Sequence, residues 1–402
     1  MMAAFLSLLL FAGCSETNLL HPYGKDDGKS PAPVSDVTVT SQPGAVVLRY
    51  KLPADSDLSY VKAEFTGTDG SKREARASSY VDSLLIEGFG DTREYSIQLK
   101  AYDKFENAST PVTVKATPLT PPIQTVFESL KWMVDFGGFT VTYDNETKSD
   151  IGIYVVRKDS ETGEMEYYDV YFTEKASGTY PVRGLPDVEN EFGIYVQDNW
   201  GNKSETLSFT TTPMREDELD KSLFTLVNPG LVSGDLTLSQ YPFDGTASNF
   251  WDGTISKYNY IHTIWPLDFP HRFTVDLGVT AKLSRIKTWQ RDGEDTRWQH
   301  GAWRLFNVYG CAELPPYSSD PLEGWTLIGS FTSVKPSGLP QGQVSDEDIE
   351  LLEEGEEFSF DREAPAIRYI RFVINAVHSE MKLSCMSEMT LWGQIESDSS
   401  EE

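Results

Sequence analysis

One stretch of this chain is written twice. Tyr95-Ser-Ile97-Gln-Leu99 leading to Asp103-Lys-Phe105-Glu-Asn107-Ala-Ser109 returns as Phe192-Gly-Ile194-Tyr-Val196 leading to Asp198-Asn-Trp200-Gly-Asn202-Lys-Ser204, with a two-residue offset. Apolar residues at every second position place one face of a strand inward, and the Asp-x-aromatic-x-Asn-x-Ser segment supplies turn residues. Upstream, the runs Val37 to Thr40, Ala45 to Tyr50, Tyr60 to Phe65, Leu84 to Ile86 and Val112 to Ala116 alternate in the same way, and Thr68-Asp69-Gly70 carries the Asp-Gly pair of a tight hairpin. Pro118 and Pro121-Pro122 close the first unit, because prolines cannot continue a paired strand. Two β-sandwiches follow as the expectation, over 34–120 and 121–213, joined through Met214 to Lys221, a charged and helix-compatible connector.

The chain of 402 residues has room for two to four domains at roughly 100 to 200 residues each. Its charge balance, 34 − 62 = −28, repels phosphate backbones, so nucleic acid is not an expected partner. At the N-terminus the apolar run Phe5 to Phe11 leads into Ala12-Gly13-Cys14, followed by a polar, breaker-rich stretch over 15–33. The run is far short of the roughly 20 residues that span a bilayer, and small residues before a cysteine suit a signal-peptidase cleft. Leu10-Phe11-Ala12-Gly13-Cys14 resembles the bacterial lipobox, which implies a lipoprotein signal over 1–14 and a lipid on Cys14, with a flexible tether over 15–33. The chain ends in an acidic tail over 396–402. Of the other cysteines, Cys311 and Cys385 are either two buried thiols or one bridge, and neither lies at metal-ligand spacing.

Beyond Pro213 the composition shifts. Seven of the nine tryptophans and four of the five histidines lie there, which marks the C-terminal segment as the place of recognition. A carbohydrate site pairs an aromatic platform for the apolar face of a sugar with polar groups for its hydroxyls. Two clusters supply that mixture: Tyr258, Tyr260, His262, Trp265 and His271, then Trp289-Gln290-Arg291-Asp292 with Arg297, Trp298, His300 and Trp303. Trp298 lies in a run of Asp, Gly, Arg and Gln residues where burial is hard to arrange, and it is the leading platform residue. Arg291 and His300 are read either as ligand contacts or as loop-stabilising groups, while Trp289, Trp303 and Trp392 sit in alternating strands and are assigned to the core. The acidic run from Asp346 to Glu357 is read as a solvated loop.

The ends of the two repeats resemble the last two strands of fibronectin type III domains, which places Tyr95 near a tyrosine-corner position. Within 214–395, Asn249-Phe250-Trp251-Asp252-Gly253, Arg272-Phe273-Thr274-Val275-Asp276-Leu277-Gly278, Ile367-Arg368-Tyr369-Ile370-Arg371-Phe372 and Ser387-Glu388-Met389-Thr390-Leu391-Trp392-Gly393 together look like a discoidin, or coagulation-factor type C, domain. The fold this implies is all-β: two Ig/fibronectin-like sandwiches followed by a discoidin-like jelly-roll. The same resemblance implies a structural calcium held by Asp252 and Glu388; otherwise Asp252 only makes the Asp-Gly turn and Glu388 only closes a strand. The whole arrangement resembles the surface lipoproteins of glycan-utilisation loci, which hold polysaccharide at the outer membrane beside a porin-like importer and its lid lipoprotein.

No G-x-S-x-G elbow, H-E-x-x-H helix or G-x-x-x-x-G-K loop occurs. The reading is therefore a non-enzymatic, lipid-anchored, outward-facing protein that binds polysaccharide or oligosaccharide through Trp298, Arg291, His300, Trp265, His262 and Tyr260. A surface adhesin or structural subunit that meets a protein partner through its sandwiches is the competing expectation. A hydrolase with a site between domains ranks last.

Overall fold

The computed structural model describes residues 26–237 and 247–396. The leader with Cys14, the first part of the tether and the tail from 397 lie outside the described residues. The chain divides into two compact units, one built from the segments up to Leu130 with Thr142–Gly178 and Phe192–Ser208, the other from Lys131–Val141, Thr179–Glu191 and the chain from Phe209 on.

In the first unit seven strands run as β1 (Ser35–Gln42), β2 (Ala45–Lys51), β3 (Leu58–Thr66), β4 (Lys72–Ser78), β5 (Ser83–Glu87), β6 (Tyr95–Asp103) and β7 (Val112–Ala116). They form sheets ordered β1-β2-β5 and β4-β3-β6-β7. The alternation read from the sequence faces Val46 and Leu48, Val61, Ala63 and Phe65, Leu84 and Ile86, and Ile97 and Leu99 into one shared core. Aromatic Phe65, Phe89 and Tyr95 pack against one another within it. The Tyr95 hydroxyl donates to Asp91 Oδ1 at 2.7 Å, so the corner bond ends on a side chain four residues upstream.

A short helix, α1 (Pro122–Ser129), follows the prolines that end the first repeat. Pro122 occupies a first-turn position whose N–H no helix uses, and Ile123 and Val126 turn inward. The next strands are β8 (Lys131–Asp135), β9 (Gly138–Asp144), β10 (Ile151–Lys158), β11 (Met165–Thr173), β12 (Ser177–Val182), β13 (Asn190–Asp198) and β14 (Leu207–Thr211). Their sheet orders, β12-β9-β8 and β11-β10-β13-β14, repeat those of the first seven strands.

The duplicated turn folds identically in both copies. Asp103 Oδ1 accepts from the backbone of Phe105 and Asn107 at 2.8 and 2.9 Å, and its Oδ2 takes Asn107 Nδ2. Asp198 does the same with Trp200 and Asn202, at 3.0 and 2.9 Å, and with Asn202 Nδ2. The serine that ends each motif, Ser109 or Ser204, accepts from the backbone N–H of Ala101 or Val196. In the second copy the turn is also a joint: Asn202 Nδ2 donates to Gly88 O at 3.0 Å, and Arg73 reaches Trp200 O and Asn202 Oδ1 at 3.1 and 3.2 Å. The Trp200 ring fills the space that a Cβ on Gly88 would need.

The C-terminal β-domain comprises β15 (Asp217–Glu218), β16 (Thr225–Leu226), β17 (Ile261–His262), β18 (His271–Trp289), β19 (Trp303–Cys311), β20 (Thr326–Thr332), α2 (Asp346–Glu354), β21 (Glu356–Ser359), β22 (Ile367–Val377), β23 (Cys385–Met386) and β24 (Glu388–Ile395). Its main sheet runs β15-β24-β18-β22-β19-β20. Strand β18 is long enough to serve two partners: its first half pairs β22 and its second half pairs β24, with the change at Gly278 (φ 74°). The motif residues there hold the sheet together. Asp276 takes Arg368 through two bonds at 2.9 and 3.0 Å, and Arg371, fully buried, pairs with Asp235 at 2.8 Å.

Two sequence expectations about elements are corrected. The segment after Pro213 is not helical: Met214 bridges to Phe136 and β15 pairs with β24. Glu216 is drawn inward by Arg285 Nη2, at 3.0 Å, which an exposed helical connector would not allow. The acidic run from Asp346 is not a solvated loop but helix α2, because Ser345 and Asp348 form a reciprocal capping box and three acids occupy its first turn. Cys311 and Cys385 are unbridged thiols. Trp303 lies in the core at 1% exposure, whereas Trp289 and Trp392 are only half-buried.

Candidate functional site

The segment from Asp252 to Trp265 builds an aromatic face along one border of the C-terminal domain. Asp252 Oδ1 accepts from Thr254 N and Asn259 Nδ2, both at 2.8 Å, and Ser256 Oγ accepts from Tyr258 N and Asn259 N. These bonds close a tight loop that leaves the Tyr258 ring 78% exposed. Strand β17 then alternates: Ile261 faces the core at 1% exposure, while Tyr260 and His262 share the opposite side with ring centroids 5.4 Å apart. Trp265 stands 65% exposed just beyond.

Arg291 ties this segment to the 291–300 loop. Its guanidinium lies 3.7 Å over the Tyr260 ring and donates to Lys257 O from Nε at 3.0 Å and from Nη2 at 2.8 Å. A stacked, doubly bonded guanidinium fixes the tyrosine plane, a geometry that lysine could not reproduce. Lys257 pairs with Asp295 at 2.6 Å and holds that carboxyl below its usual range, with a weaker pull of the same sign from His300. Arg297 pairs with Asp292 at 2.9 Å. Of the residues named from sequence, Tyr260, His262 and Arg291 are therefore brought together, and Trp265 presents an open ring. His300 belongs to the neighbouring loop, at a left-handed φ of 48°.

Trp298 is the main correction. Its exposure is 1%, so its ring offers no face to a ligand. Its backbone N–H reaches Gln290 Oε1 at 3.2 Å, its Nε1 donates to Asp348 O at 3.1 Å, and its edge meets His378 at 4.9 Å. The polar chain neighbours that argued against burial remain outside while the indole turns inward, because α2 supplies an acceptor for the ring N–H. His271, from the first cluster, is also buried, between Ser384 Oγ and Leu267 O, and burial lowers its pKa. The sequence reading missed Lys257 and Asp295, whose pairing depends on two loops meeting.

Asp252 and Glu388 do come together, but the donor set does not fit calcium. Glu388 is 1% exposed; its Oε1 takes the Lys221 ammonium at 2.9 Å and its Oε2 takes Gly253 N–H at 2.7 Å. Burial raises the Glu388 pKa, with Lys221 opposing and Asp252 adding to the rise. Calcium needs six to eight oxygen ligands, whereas the Glu388 carboxylate already takes the Lys221 ammonium and Asp252 Oδ1 already takes Thr254 N–H and Asn259 Nδ2. Among the described residues no group of three or more His, Cys, Asp or Glu could hold a metal.

Three family profiles match the chain in succession, each described as a domain of unknown function: DUF4959 over 31–118, DUF5126 over 119–222 and DUF5000 over 251–393. No curated protein matches. Among solved structures, a SusE-like protein is 30% identical, the match covering 69% of this chain and 100% of that one, with a TM-score of 0.44. The chain belongs to the SusE-like proteins. The chain is also similar to the C-terminal domain of a chitobiase from Bacteroides fragilis, at 14% identity over 45% of this chain and 100% of that one, TM-score 0.28. A two-domain fibronectin type III segment of chicken tenascin matches at 17% identity over 45% and 99%, TM-score 0.22. No helix among the described residues is long and apolar enough to cross a membrane.

Proposed function

We propose that this SusE-like protein is a non-catalytic, lipid-anchored protein of the outer membrane that faces outward and captures polysaccharide or oligosaccharide for an uptake system made of a porin-like importer and its lid lipoprotein. Cys14 carries the lipid, residues 15–33 act as tether, the modules at 34–120 and 121–213 act as stalk, and the discoidin-like domain at 214–395 grips the glycan. The observation that carries this reading is the run of open rings along 258–265: Tyr258 and Trp265 are 78% and 65% exposed, with Tyr260 clamped by Arg291 between them in sequence. Such rings stack on the apolar faces of sugars, while His262 and the Lys257–Asp295 pair supply polar groups at the edge. Each contact is weak, and many anchored copies on one surface raise retention by avidity.

Affinity electrophoresis of the chain from Ser15 on, across plant, host and microbial polysaccharides, tests this. Retardation that disappears in Trp265→Ala and Tyr258→Ala supports the reading; absence of retardation on every polysaccharide by a folded chain overturns it. A second reading, a protein partner bound through a sandwich module, is favoured by one observation. On the open side of the sheet containing β10, β11 and β13, Tyr154 stacks on Tyr195 at 5.1 Å beside Phe172 and Tyr167, each 62% exposed. A set of uncovered rings on one sheet face is unusual for a plain spacer.

A further inference from the structure

A concavity of about 320 Å³ opens in the C-terminal domain, lined by none of the residues of the aromatic face. Its floor is a buried polar relay. Ser333, 3% exposed, bonds through Oγ to Glu356 Oε2 at 2.7 Å and to His378 Nε2 at 2.8 Å, and the edge of Trp298 closes the side behind His378. Val334 and Leu339 are exposed and form an apolar rim.

The charged side chains that line the opening are cationic: Arg304 and Lys335 line it, and no Asp or Glu does. Lys335 spends its ammonium on the carbonyls of Leu339, Pro340 and Gln343 and on the buried Asp348 carboxylate at 3.8 Å, which shapes the loop and leaves Arg304 as the cation open to a ligand. Arg304 is exposed and has no ion pair or side-chain hydrogen bond among the described residues. The two cations act together on the floor: after burial, they are what keeps His378 uncharged, with its pKa pushed down to about 4. In a chain of net charge −28, an unspent guanidinium at the mouth of a cleft whose floor carboxyl, Glu356, lies buried beneath Ser333 is a local attractor for an anion. The overall repulsion is screened beyond a Debye length of about 8 Å at physiological ionic strength.

We propose that this cleft binds a carboxylate-bearing sugar residue of an acidic glycan, with Arg304 as the ion-pair partner of the carboxylate. The volume suits one or two pyranose units, the guanidinium takes a carboxylate through two parallel bonds, and Val334 and Leu339 meet the apolar side of the ring. This rests on the reading that the domain binds glycan, and it names the class of residue that the aromatic face does not select.

Titration of the chain from Ser15 on with methyl glucuronide and methyl galacturonide, each against its neutral parent glycoside, tests it by calorimetry and by the His378 imidazole resonances. One of the acids should bind at least about tenfold more tightly than its neutral parent, move the His378 signals, and lose that advantage in Arg304→Gln, a change at an exposed position that leaves the fold intact. Equal binding of acid and neutral forms, no binding of either acid, or a preference unchanged in Arg304→Gln overturns the proposal. Trp265→Ala separates it from the function proposed above. Retention on neutral polysaccharide that Trp265→Ala abolishes, with no acid preference, leaves that function standing and removes the cleft. An acid preference with no polysaccharide retention does the reverse.

Discussion

Trp265 and Trp298 lie on neighbouring parts of the C-terminal domain and meet opposite fates. Trp265 has Ile264, Pro266 and Leu267 beside it in the chain and is 65% exposed; Trp298 has Arg297, Gln299 and His300 beside it and is 1% exposed. Chain neighbours do not decide burial of an indole. What decides it is whether the fold offers a pocket of matching shape and an acceptor for the ring N–H, and for Trp298 the carbonyl of Asp348 on α2 provides that acceptor at 3.1 Å. The exposed ring can serve recognition because no packing depends on it, and the buried ring serves the floor of a cleft.

The comparison breaks first under substitution of the buried ring. Trp298→Ala should cost about 3 to 5 kcal/mol in chemical denaturation, since it leaves a large cavity, and a loss below about 1 kcal/mol would show that the site collapses freely. Next in size is Lys221→Met, which strands the buried Glu388 carboxylate; the expected loss is about 3 kcal/mol, while chelator or added calcium leaves the melting temperature of the unaltered chain unchanged. A calcium-dependent melting temperature in the unaltered chain would contradict the ligand set described for Glu388.

Trp265→Ala sharpens the contrast from the other side. Its stability should stay within about 0.5 kcal/mol of the parent, yet retention on a bound polysaccharide should fall about tenfold, which affinity electrophoresis reads directly. Stability loss like that of Trp298→Ala would mean that Trp265 also packs.

The smallest effect is a change of slope with pH beneath Trp298. Burial pushes the Glu356 carboxyl up to about 7 from 4.5, so between those values the folded chain holds a proton that the unfolded chain lacks, and stability falls as pH rises. For His378, burial and then the neighbouring Arg304 and Lys335 lower the imidazole from 6.5 to about 4; in that window the unfolded chain holds the extra proton, and stability rises with pH. The two slopes oppose each other between pH 4.5 and 6.5. Glu356→Gln removes the falling one, so its melting temperature should climb with pH across this window more steeply than that of the parent.

Much of the fold was legible because it is local. Alternation at period two identified the strands of both repeats, and the duplicated Asp-x-aromatic-x-Asn-x-Ser segment identified a turn whose hydrogen bonds, at Asp103 and Asp198 alike, span at most four residues. The capping box at Ser345 and Asp348 was equally local, and only the weight given to its acidic run concealed it. At the site, Tyr260, His262 and Arg291 were within reach of composition and spacing. The joint at Asn202, the Lys257–Asp295 pair and the Ser333–His378–Glu356 relay were not, since each joins segments that are far apart in the chain.

The sequence by itself determined an all-β chain with a duplicated module, a strongly negative surface and an aromatic-rich final domain, because side-chain period, turn chemistry and net charge are properties of neighbouring residues. Only the tertiary structure decided which tryptophan is open, that the Lys221 ammonium meets the buried Glu388 carboxylate, and that Arg304 stands unpaired at the mouth of a cleft. Burial and pairing depend on which distant segments the sheets bring together, and the free energy of a buried ring or charge is set by those partners and not by its neighbours in the chain.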